Sequence, residues 1–152
     1  MIDYREEYYY RIFVLLFIIS NFQTNRLGRK ILTIKKLEIM YFLIQNPLVM
    51  DSVLRGNKIG KLQGYSGSLY DDSMRRSDFE EMNIIGLTIP HLQSEGIVHL
   101  DKKDEGIFVT CDPNLANEIN DGISNLLSLN LEKIRKLASL TESKLQKSLM
   151  GL

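Results

Sequence analysis

The 152-residue chain holds one cysteine, two histidines, three prolines and no tryptophan. A lone thiol, Cys111, excludes any disulfide within the chain. The core must therefore come from apolar burial, for which a chain of this length is adequate. His91, His99 and Cys111 are the only soft metal ligands, too few for a recognisable zinc motif. Long apolar runs are also missing. The longest, Ile12 to Ile19, has eight residues, against the roughly 20 needed to span a bilayer. Asp3, Glu6 and Glu7 precede it, where a signal peptide wants positive charge. A reducing, cytoplasmic setting without membrane contact is the expectation.

No catalytic constellation is visible. "GNKIGKL", Gly56 to Leu62, echoes a phosphate loop. It has one residue too few between its glycines, and a leucine where a magnesium-holding hydroxyl belongs. "GYSGS", Gly64 to Ser68, lacks the closing glycine of a nucleophile elbow. The carboxylate pairs Asp71-Asp72 and Glu80-Glu81 have no evident partner. The expectation is a non-enzyme with no cofactor, no metal and no catalytic residue.

Charge is abundant but segregated. Residues 1–61 carry ten Lys/Arg against five Asp/Glu, residues 62–130 four against twelve, and residues 131–152 five against two. Such blocks fit surfaces with different partners, or patches that neutralise each other within the fold. Arg26, Arg29, Lys30, Lys35 and Lys36 fall within eleven residues free of acid. They form either a solvated helix start or a contact for an acidic protein or a DNA backbone. A net charge of zero gives no global steering towards DNA, which favours the protein.

The pattern predicts mainly helix with one small hairpin. A helix over about 3–22 carries Tyr8, Tyr9, Tyr10 and the apolar run. Consecutive residues step about 100° around a helix, so this run is apolar on every side. One small domain rarely covers such a helix completely, and Phe13 and Phe17 are candidate partner-binding residues. Thr33 should cap a helix through Gln45, stopped by Asn46-Pro47. A short helix to Arg55 and a glycine-rich loop over 56–74 follow. A helix from Ser77 to Ser94, with Glu80 completing a capping box, should kink or break at Pro90. Strands Ile97–Leu100 and Ile107–Cys111 follow, with Leu100 opposite Ile107 and Val98, Leu100, Ile107 and Val109 facing the core. Helices over 113–127 and 131–150 end the chain. The last has an apolar stripe at Ile134, Leu137 and Leu145, which is a second candidate partner surface.

A helix running into a hairpin is how a winged helix ends, so the expected fold is a winged-helix-like domain over 1–112. A helical extension over 113–152 would pack on it or on a partner. Between Ser77 and Leu100 there is no Lys or Arg, but there are four acids. Phosphate contacts dominate nucleic-acid affinity, so this is a poor reading helix for DNA. A winged-helix DNA-binding transcription regulator is therefore the alternative rather than the main expectation.

The segment Lys36 to Pro47, "KLEIMYFLIQNP", and the junction Leu92 to Leu100, "LQSEGIVHL", stand in order after an apolar N-terminal helix. This layout resembles the middle components of bacterial ABC-three-component, Lamassu-type anti-phage systems. The resemblance implies a non-catalytic accessory subunit in anti-phage or anti-plasmid defence. Its partners would be an SMC-like ABC ATPase and an effector protein, often a nuclease, of the same operon.

Overall fold

Nineteen residues, Tyr4–Phe22, form α1. In the computed structural model, which describes residues 4–65 and 83–151, this helix runs through the middle of the molecule. Val14, Leu15, Phe17, Ile18, Ile19 and Phe22 are all buried by the chain's own elements. Each such side chain contributes about 1.5–3 kcal/mol when fully buried. The expectation that the chain could not cover this helix is thus overturned for its second half. The reason is that α2 (Ile34–Gln45), β2 (Gly106–Cys111), α5 (Leu115–Asn120) and α7 (Leu131–Ala138) all pack on it.

Polar pairs fix these neighbours in place. The amides of Asn21 and Asn120 exchange hydrogen bonds of 2.9 and 3.0 Å between α1 and α5. Arg135 of α7 donates to the carbonyl of Asn21 at 2.9 Å, and its guanidinium lies 5.6 Å from the centre of the Phe22 ring. That contact satisfies a backbone acceptor left open where α1 ends.

Local signals set α2 and α3 (Pro47–Gly56) as expected. The Thr33 hydroxyl accepts from the Lys36 amide at 3.2 Å, and Pro47 occupies the first turn of α3. After α3 the backbone turns through Lys58, at φ 58° the only described non-glycine residue with positive φ.

Helix α4 (Asn83–Ser94) passes through Pro90 without splitting, so of the expected kink or break the break does not occur. The proposed start at Ser77, its capping box with Glu80, and Asp78 and Glu81 lie outside the described residues. Gly96, at φ 75°, ends the helix and leads into β1 (Val98–Lys103).

The hairpin register differs by two residues from the expected one. Leu100 pairs with Val109, Val98 with Cys111, and Lys102 with Ile107. A shift of two preserves which face each side chain takes, so Val98 and Val109 still face the core, with Leu100 half-buried and Cys111 buried beside them. Ile107 is displaced to the hairpin tip beside Lys102, and it is exposed. The turn shrinks to Asp104-Glu105, because Lys103 and Gly106 close the ladder. On the opposite edge of β2, Thr33 bridges Phe108 and the Val109 amide donates to the Leu32 carbonyl at 3.0 Å. The order helix, short extended segment, helices and hairpin, with that segment paired to β2, is a winged-helix-like arrangement.

Both predicted C-terminal helices are each two. Ser124 caps α6 (Asn125–Leu129), separating it from α5. Thr141 caps α8 (Glu142–Met150), separating it from α7. A hydroxyl that accepts from an amide three residues on competes with helix continuation, which is the physical reason for both breaks. Ile134, Leu137, Ala138 and Leu145 join the same apolar cluster as α1, α2 and α3, so the extension packs on its own chain.

Candidate interaction surfaces

The stripe expected to meet a partner is interior. Ile134, Leu137, Leu145 and Phe17 are each 0% exposed. A fully buried side chain cannot dock a partner without unfolding, and these four are reassigned to the core. Of the five candidates only Phe13, half-buried, remains at a surface.

Phe13 lines a groove of about 360 Å³ at the tyrosine end of α1. Tyr9, Tyr10 and Val14 form one wall, and Gly122, Ile123 and Leu127 the other. Tyr9 and Tyr10 are 67% and 55% exposed, whereas the same helix two turns later is buried. A Cβ on Gly122 would sit 3.3 Å from the Phe13 ring, so glycine here lets the α5–α6 connection approach the helix. The triple tyrosine was visible in the sequence. The opposite wall was not, since it depends on where the break before Ser124 falls.

The basic set divides. Arg26, Arg29 and Lys30 are exposed around a turn held by the Asn25 side chain, which accepts from the amides of Leu27 and Arg29 at 2.9 and 3.0 Å. Lys30 reaches Asp101 of the hairpin at 3.4 Å, and Lys103 reaches the same carboxylate at 3.7 Å. Lys103 also lies over the Phe108 ring. Lys35 is exposed but one turn from Glu38. Burial pushes the Glu38 carboxyl up, and Lys35 partly offsets this. These cations are therefore interleaved with acids.

Lys36 does not belong to the set. It is buried, and its amine donates to the Ala138 carbonyl at the end of α7 at 2.7 Å. Burial lowers its pKa, and nearby Glu142 pulls it partly back. Glu142 in turn accepts from the Thr33 hydroxyl. Thr33, Lys36, Ala138 and Glu142 thus tie α2, the hairpin edge and the C-terminal helices together. The sequence places Lys36 in a basic run, and nothing local marks it as interior.

His99 pairs with Thr110 and Cys111 with Val98, so the two potential ligands point to opposite faces of the hairpin. Among the described residues no three His, Cys, Asp or Glu side chains are grouped to hold a metal. Burial, and to a lesser degree Asp112, pushes the Cys111 thiol up to about 11. Such a thiol is protonated at neutral pH and a poor nucleophile. No described helix is long and apolar enough to cross a membrane.

No protein-family model, curated protein or solved structure matches the chain.

Proposed function

We propose that this chain is a non-catalytic accessory subunit that joins an SMC-like ABC ATPase to an effector protein, a nuclease in the fullest form of the reading, in bacterial anti-phage or anti-plasmid defence. One observation carries the reading. The two segments on which the resemblance rests, Lys36–Pro47 and Leu92–Leu100, become the α2–α3 junction and the α4–β1 junction of one winged-helix-like core. They are structural joints of the fold rather than surface decoration.

The groove at Tyr9, Tyr10 and Phe13 is the surface this reading offers to a partner. Exposed aromatic anchors beside an apolar cleft are the usual material of binding hot spots. The wing is a weaker candidate for DNA, since two of its neighbouring lysines, Lys30 and Lys103, converge on Asp101. To test the reading, the chain is co-expressed with the ATPase and effector encoded beside it and recovered through a tag on one of them. A complex that survives moderate salt supports the assignment. Recovery of the tagged protein alone, at low and moderate salt, refutes it.

A further inference from the structure

The fold assembles a second cationic surface from three segments distant in sequence. Arg55 lies in the last turn of α3, and Lys58 and Lys61 follow in the connection after it. The Lys133 amine of α7 donates to the Lys61 carbonyl at 2.6 Å, and its stem lies 3.3 Å from where a Cβ on Gly60 would be. Asn57 donates to the Ser148 hydroxyl of α8 at 3.0 Å. Ser148 lies one turn after Lys144, so Lys144 takes the side of α8 that meets this connection, whereas Lys147, next to Ser148, is turned about 100° away from it. Arg55, Lys58, Lys61, Lys133 and Lys144 thereby share one surface.

One acid, Asp51, stands among them and neutralises Arg55; the others are committed elsewhere. Asp51 holds Arg55 at 2.9 Å and also accepts from the Leu62 amide. Glu132 lies 3.5 Å from Arg135, and Glu142 accepts from Thr33. Among the described residues Lys58, Lys61, Lys133, Lys144 and Lys147 form no ion pair. Holding like charges together costs free energy, and the connection is nonetheless pinned in place. Asn130, fully buried, donates to the Gln63 carbonyl at 2.9 Å and accepts from the Gln63 amide at 2.8 Å.

We infer that this surface, formed by the unpaired amines of Lys58, Lys61, Lys133 and Lys144, binds the phosphate backbone of double-stranded nucleic acid without reading its sequence. Point-charge ammonium groups on flexible stems suit phosphates, and their spread over three segments suits an extended polyanion rather than one small anion. The set around Arg26 suits it less, because Asp101 and Glu38 stand among its cations. This inference does not rest on the accessory-subunit reading, and the isolated full chain tests it.

The probe is a fluorescent DNA duplex of about 20 base pairs of arbitrary sequence, titrated with the chain between about 50 and 200 mM salt. If four phosphates are engaged, affinity falls about a hundredfold over that range. The triple change Lys58→Gln, Lys61→Gln and Lys144→Gln should make the logarithmic salt dependence shallower by about 2.5–3, whereas the matching Lys→Arg triple should keep it. A control triple, Arg26→Gln, Arg29→Gln and Lys35→Gln, should leave the slope unchanged. Absence of duplex binding by the unaltered chain at the lowest salt overturns the inference. So does a slope that the Gln triple leaves intact, or one that only the control triple reduces. Binding of poly-glutamate in preference to the duplex would assign the surface to an acidic protein and also reject it.

Discussion

The amine of Lys36 and the carbonyl of Ala138, 102 residues apart in sequence, meet at 2.7 Å in the interior. The contact closes the open end of α7 onto α2. Lys36→Ala removes the donor and leaves a buried acceptor without it. The expected loss is about 1–3 kcal/mol, read from urea unfolding. Lys36→Met keeps the apolar stem and should cost less, since a buried charge is itself expensive.

The same lysine makes stability depend on pH. Its pKa in the folded chain lies below the ordinary 10.5 because burial disfavours the charge. Between the two values the unfolded chain holds more protons, so this group makes stability rise with pH in that window. Below the lowered value, and above 10.5, its contribution is flat. The stability of the unaltered chain minus that of Lys36→Met should therefore grow as melts are taken from neutral pH towards 10.5. A constant difference across that range contradicts the assignment.

Ile134 distinguishes an interior stripe from a docking stripe. It is 0% exposed, so Ile134→Glu places an unpaired charge in the core. The isolated chain should lose at least about 3–5 kcal/mol, enough to unfold many domains of this size. A cooperative melt close to that of the unaltered chain would return the stripe to the surface.

Cys111 should resist alkylation. Its thiol is buried and shifted to about 11, so iodoacetamide at mildly alkaline pH should label it only on unfolding. Labelling of the folded chain at the rate of a free thiol would contradict its placement on the core face of the hairpin.

Much of this fold is written locally. Thr33 as a cap, Asn46-Pro47 as a stop and the glycine before the hairpin each act within a few residues, and each was legible. The hairpin faces were legible in part: alternation survives a register slip of two residues, but Ile107, expected in the core, is exposed at the tip and Phe108 on the other face is buried. Ser124 and Thr141 were equally present in the sequence, but the amphipathic pattern on either side of them reads as continuous helix. The covering of α1 was not legible, because it depends on four elements converging from across the chain. Lys36 and Lys133 mislead for the same reason. Each looks like one more surface cation, and only tertiary packing sets one beneath Ala138 and the other against Lys61. The groove was half legible, through its tyrosines.

Gly122 offers a check on that groove. Gly122→Val would drive a branched side chain into the Phe13 ring, which a Cβ alone approaches to 3.3 Å. Overpacking of this kind costs about 1–3 kcal/mol. Thermal melting should fall accordingly, whereas Tyr9→Arg, at an exposed position, should leave it unchanged.

The most direct test of the accessory role joins that surface to assembly. The chain and the double variant Tyr9→Arg, Tyr10→Arg are each co-expressed with the proposed partners, an ATPase and an effector encoded beside it, purified through a tag on the ATPase, and weighed by light scattering. The account predicts a defined complex with the unaltered chain. It also predicts loss of the chain from the complex with the double variant, although that variant's own melting temperature is unchanged. A neighbouring ATPase and effector that never retain the unaltered chain, at low or moderate salt, would contradict it.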